Sequence, residues 1–111
     1  MANAFKLKTK TGGSTGADSA LTLYTVPAAT TSIVLGLNVS NLLTSNVVVD
    51  VQIENNDGDN IYIIKDVLIE NGSALELMTG NKIVLETSDV LKVTSNAANS
   101  IDCSLSVMEQ T

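Results

Sequence analysis

Three kinds of residue in this chain carry chemistry worth testing: paired acids, one cysteine and a short run of lysines. Asp57 and Asp59 lie two apart in "NNDGDN", the spacing of a calcium loop. The EF-hand pattern fails there, because Ile61 takes the next alternate position and no bidentate glutamate follows at the right distance. A solvated hairpin turn accounts for the same residues. Asp50 with Glu54, and Asp66 with Glu70, offer carboxylate pairs of the kind that hydrolyse glycosides. Nothing in their surroundings separates them from solvated strand positions.

Cys103 is the single cysteine, and the chain has no histidine. No Ser-His-Asp or Cys-His constellation can form. The usual zinc and iron ligand sets are excluded for the same reason. Cys103 alternates with Ile101 and Leu105, which makes it a small core hydrophobe rather than a nucleophile. "TGGSTG", residues 11 to 16, lacks the strand, the Lys-Ser/Thr ending and the helix of a phosphate loop. The expectation is that the protein is not an enzyme and holds no cofactor and no metal.

Six lysines face twelve acids, for a formal charge of −6. That balance, with no arginine, argues against nucleic-acid binding, which needs a basic stripe. Lys6, Lys8 and Lys10 are half of the basic residues and fall within the first ten positions. With Phe5 and Leu7 between them, they form the candidate interface. Residues 1–19 read as an N-terminal arm, either flexible or ordered on a neighbouring subunit. No run approaches the length of a membrane span. The opening "MANAFKLKTK" has no apolar signal core.

The elements that must position these residues are strands. The 111-residue chain is 44% hydrophobic but has only one Phe, two Tyr and no Trp. Val, Ile and Leu dominate, which suits a pleated sheet. From Ala20 on, period-two alternation recurs. Ile33, Leu35, Leu37 and Val39 alternate with Val34, Gly36, Asn38 and Ser40. Val47, Val49, Val51 and Ile53 oppose Asp50, Gln52 and Glu54. Ile101, Cys103, Leu105 and Val107 oppose Asp102, Ser104 and Ser106.

Leu21 and Leu23 alternate with Thr22 and Tyr24, and both Tyr24 and Tyr62 are read as core or rim packing. Pro27, the only proline, ends this first run. A further strand from Ile61 breaks near Lys65 and Asp66. Turn signals fall at 55–60, 70–73, 78–81, 87–89 and 96–100. The expectation is an all-β domain over residues 20–111, an antiparallel β-sandwich or jelly roll of about eight short strands. Apolar residues on nominally wet faces, Val34, Val48 and Met108 among them, point to burial on both faces or to subunit contact.

Four stretches carry a family resemblance: "LYTVPA" (Leu23 to Ala28), "IENGSAL" (Ile69 to Leu75), "SDVLKV" (Ser88 to Val93) and "NSIDCSLSVME" (Asn99 to Glu109). With them the chain resembles, over nearly its whole length, a family of small β-rich virion structural proteins of tailed bacteriophages, cyanophage members included. These are turn and strand signatures and bring no catalytic residues. The resemblance implies a virion component assembled in the host cytoplasm. Within it, a capsid decoration (cement) protein is expected, with the major capsid protein as partner and a homo-oligomer, a trimer by preference, as its state. A neck, tail or fibre-attachment subunit, or a carbohydrate-binding module, is the alternative.

Overall fold

The computed structural model describes residues 3–11, 19–77 and 82–111. The Gly-rich run at 12–18 and the turn expected at 78–81 lie outside the described residues. The described chain forms nine strands: β1 (Asn3–Lys10), β2 (Ala20–Thr25), β3 (Thr31–Asn41), β4 (Val47–Glu54), β5 (Asn60–Ile69), β6 (Ala74–Leu77), β7 (Ile83–Leu85), β8 (Val90–Ser95) and β9 (Ile101–Gln110).

Pairing nests the two halves of the chain. β4 pairs with β5, β3 with β6 and β7, β2 with β8, and β1 with β9. The nested ribbon then folds on itself, as β3 pairs with β9 and β4 with β8. Two antiparallel sheets result, one ordered β1-β9-β3-β6 with β7 also on β3, the other β2-β8-β4-β5. This interleaving is a jelly roll, the all-β sandwich that the alternation predicts.

The core lies between the sheets. Val47, Val49 and Val51 of β4 are fully buried, as are Ile101, Leu105 and Val107 of β9, with Cys103 beside them. Strict alternation on these strands sends one set inward and the other outward. Burial of each such aliphatic side chain contributes about 1.5–3 kcal/mol.

β3 departs from the simple reading. Alternation places Ile33 and Leu35 inside and Val34 outside. In the structure Val34 is buried, while Ile33 and Leu35 are only partly so. The register on β9 explains it: Val34 sits opposite Val107 and Gly36 opposite Ser106, so Leu35 is an extra residue. This β-bulge shifts the alternation by one, and Ser32 and Val34 face in with Leu37 and Val39. A second bulge lies between Thr22 and Tyr24 of β2. There Leu23 and Tyr24 are both buried. A third sits at the expected break in β5, where Asp66 takes a φ of 56° and donates its N–H to Asp50 Oδ1 at 2.6 Å.

Polar groups hold the strand ends. Val26 extends the β2 edge by one residue, its N–H reaching Asp89 O at 2.9 Å and its carbonyl taking the Ser88 N–H at 3.1 Å. Pro27 follows and has no N–H to continue, so pairing stops there. Asp89 is buried, and its carboxylate accepts N–H bonds from Asn56 and Glu86. The amide of buried Asn41 donates to the carbonyls of Ser45 and Ile69, at 2.9 and 3.0 Å.

The bulge in β3 sets a measurable order. Val34→Ala is expected to lower the unfolding free energy by about 2 kcal/mol, and Ile33→Ala by less than about 1 kcal/mol. Urea denaturation of the two variants checks this. The reverse order would mean that alternation runs unbroken through Leu35.

Candidate assembly interface

The five candidate interface residues all fall on β1, and the structure splits them between two faces. β1 is an edge strand laid antiparallel on β9 of the same chain, where sequence alone left a flexible or subunit-contacting arm. Phe5 lies opposite Met108, and Leu7 opposite Ser106. Both therefore share the outer face, and they are 75% and 67% exposed. Lys6, Lys8 and Lys10 lie opposite Val107, Leu105 and Cys103, on the row that faces the second sheet. At the open rim of a sandwich such inward lysines keep an edge strand wet.

The outer face carries an apolar row that crosses the whole sheet. Phe5 is opposite Met108, Met108 opposite Ile33, and Ile33 opposite Val84. Val84, at the far edge, is 61% exposed. Residues directly opposite one another have Cβ atoms about 4.5–5.5 Å apart, so the row is a continuous stripe. Below it the face turns small and polar. Gly36, Asn38, Glu76, Ser104 and Ser106 line a shallow hollow of about 400 Å³. An apolar row of this kind, exposed at Phe5 and Val84 and half-buried at Met108 and Ile33 between them, marks a candidate contact site.

Beneath β1 the two sheets are tied by a buried polar cluster that sequence reasoning missed. The bulge in β2 turns Tyr24 inward, and its hydroxyl reaches Ser32 Oγ at 2.7 Å. The same hydroxyl donates to the carboxylate of buried Glu109. Lys6 Nζ lies 3.2 Å from the other oxygen of Glu109, and Lys8 Nζ sits 6.0 Å from the centre of the Tyr24 ring. The signal was present in β9, where Glu109 continues the inward alternation of Ile101, Cys103, Leu105 and Val107.

The electrostatics follow from the contacts. The Tyr24 hydrogen bond holds the Glu109 carboxyl below its usual range; burial opposes this, and Lys6 and Lys8 reinforce it. Burial, then the bond to Glu109, pushes the Tyr24 phenol up to about 12. Burial, with the Asp102 charge adding, pushes the Cys103 thiol up to about 12.

The acids offered for hydrolysis are engaged elsewhere. Asp50 supports the β5 bulge and lies 3.9 Å from Lys65. Glu54 accepts from Lys92 at 2.6 Å on the outer face of the other sheet. Asp57 and Asp59 sit in the β4–β5 turn, where Asn55 Oδ1 accepts both of their backbone N–H groups. Among the described residues no three Asp, Glu or Cys side chains converge to hold a metal. Tyr62 is exposed rather than packed at the rim, with Lys65 Nζ 4.7 Å from its ring centre.

No protein-family model and no curated protein matches the chain. Solved structures do match its fold. A chain of the disulfide-linked pili that form Bacillus endospore appendages superposes with a TM-score of 0.57 at 10% identity, over 99% of this chain and 87% of that one. Two structures of infectious bursal disease virus follow. The T13 viral particle gives a TM-score of 0.55 at 13% identity, over 95% of this chain and 30% of that one. The Gx strain gives 0.53 at 17% identity, over 95% and 33%. This chain thus spans about a third of the length of the viral chains. At such identities the likeness is one of fold.

The Glu109 tie has a pH signature. A depressed carboxyl contributes stability that is present above its unfolded value, near 4.5, and is lost as pH falls through its lower folded value. Thermal melts between pH 7 and 3 should show the parent protein losing stability with acid, and Glu109→Gln following a flatter course. At pH 7 Tyr24→Phe should cost about 2 kcal/mol, the worth of a hydrogen bond to a charged group. A Glu109→Gln profile as steep as the parent's would place the acid sensitivity elsewhere.

Proposed function

We propose that this chain is a structural subunit of a tailed-phage virion, a capsid decoration protein that binds the outer shell and stabilises it. The observation that carries the reading is the apolar row from Phe5 to Val84 on the outer face of a jelly-roll sandwich. A surface of that kind is built to be covered by protein. The major capsid protein is the proposed partner, and copies of the chain associate with one another. The phage-type turn and strand motifs support the virion assignment. The fold likeness to chains of infectious bursal disease virus agrees with it. Catalysis has no part in this reading: Asp50 and Glu54 serve the fold, and Cys103 is buried.

A fibre subunit is the second reading, favoured by one observation: the spore pilus chain matches over nearly the whole of both chains. Those pili are disulfide-linked. The single cysteine here is buried, so a fibre of this protein would be held without that bond. Sugar binding is less well supported. The exposed aromatics Phe5 and Tyr62 sit on different sheets and build no common platform.

Cryo-electron microscopy of capsids incubated with the purified protein tests the assignment. Regular added density on the shell is expected. Density at the neck or tail would move the assignment there, and bare particles would overturn it. Phe5→Ala with Leu7→Ala should reduce shell occupancy at least tenfold. Stability should stay within about 0.5 kcal/mol, since both side chains are exposed.

A further inference from the structure

The two edges of the five-stranded sheet match one another. On one side lies β1. On the other, β7 and β6 run end to end along β3. The register sets them at the same levels. Phe5 shares a row with Val84, through Met108 and Ile33. Thr9 shares a row with Glu76, through Ser104 and Asn38. Among the described residues, each of these edges is paired on one side only. The path from β1 to β6 is four strands wide and antiparallel at every step, so β1 runs opposite to β6 and β7. A copy displaced sideways by one sheet width therefore brings its β1 antiparallel to that edge, ready to form a ladder.

Charge distinguishes the edges in the same sense. β1 carries Lys6, Lys8 and Lys10. The far side carries Glu76 on β6, with Asp66 and Glu70 on and just after β5, the edge strand of the other sheet. Leu68, Glu70 and Leu75 line one shallow hollow there, which places the two edges together. Two cations lie on that side: Lys65, paired with Asp50 and Asp66, and exposed Lys82, directly before β7. Two β1 strands brought together would set six lysines against one another. β1 against the β6–β7 side sets the inward lysines toward Asp66 and Glu70 of the β5 edge, while Glu76, level with Thr9, lies on the outer face.

We propose that a second copy of this chain occupies these edges: β1 of one copy pairs antiparallel with β7 and β6 of the next. The sheet then continues from copy to copy, and the apolar row of one runs into that of its neighbour, Phe5 beside Val84. The contact joins two different surfaces, so it is head-to-tail and either closes into a ring or runs on as a fibre. This rests on the reading of the chain as a self-associating structural subunit.

Cysteine pairing tests it in the full chain. Directly opposite strand residues approach closely enough for a disulfide. Buried Cys103 does not compete. Mixed Phe5→Cys and Val84→Cys proteins should oxidise to a cross-linked dimer at least tenfold more than either alone. Sedimentation of Glu70→Lys should show at least tenfold weaker association than the parent, with unchanged circular dichroism. Phe5→Cys linking to itself as efficiently as the mixture would overturn the head-to-tail contact. So would a protein that stays monomeric at every concentration. Capsids that bind the protein while the mixture on them stays unlinked overturn the edge contact and leave the virion role standing. Linked oligomers that leave capsids bare uphold the contact and remove the virion role.

Discussion

The pairing of β3 with β9 is the constraint on which the five-stranded sheet depends. It runs from Thr31 opposite Gln110 to Asn41 opposite Ile101. Among the described residues β1 attaches only to β9 in this sheet, and β6 and β7 attach only to β3. The inward rows Val34–Val107, Leu37–Leu105 and Val39–Cys103 come from this pair, and all six residues are buried. Its partners are some sixty to eighty residues apart in the chain, so closure entropy must be met before burial rewards it. Such non-local pairing folds slowly compared with helical domains. In return, one contact places the first strand, the last strand and the far edge at fixed levels. The alignment of Phe5 with Val84 is a consequence.

The second sheet is joined to this one by burial nearly everywhere and by charge at one corner. Tyr24 belongs to β2, while Ser32 and Glu109 belong to β3 and β9, so their hydrogen bonds cross between the sheets. A buried carboxylate without partners would cost several kcal/mol. Here it has a phenol on one oxygen and an ammonium on the other. The ammonium is that of Lys6, so seating β1 and neutralising Glu109 are one event. A strand that leaves would expose an unneutralised acid at the rim. That gives β1 a reason to stay on its own body, beyond its backbone ladder.

Where alternation is unbroken, sequence and structure agree residue by residue, as on β4 and β9. Where a bulge intervenes they part. Nothing in "SIVLGLN" marks Leu35 as the extra residue, because Ile33, Val34 and Leu35 are all apolar and either phase gives a plausible inner face. The same holds for Leu23 and Tyr24. "NAFKLKTK" alternates as a strand does, yet its lysines point inward. That inversion arises only at an open rim, which a single sequence does not reveal. The candidate residues of the interface were legible as a cluster. Their division into an outer apolar pair and an inner basic set was not, and neither was the tie to Glu109. Both depend on which strand lies next to β1, and that is a fact of topology.

The lysines of β1 therefore have two effects that composition alone could not separate. Within the chain, Lys6 neutralises Glu109 and Lys8 stands near Tyr24. Between chains, the same three charges bear on which edge can approach. An exposed edge strand is a template for any other strand. Like charges opposite one another disfavour self-pairing, whereas acids on the far edge do not meet that barrier. The basic start and acidic remainder of the sequence thus become a basic edge and, with Lys65 and Lys82 among Asp66, Glu70 and Glu76, a mixed edge of net acidic charge on one sandwich. A molecule with two unlike edges at matching levels has a direction, and direction is what orders identical copies in one sense.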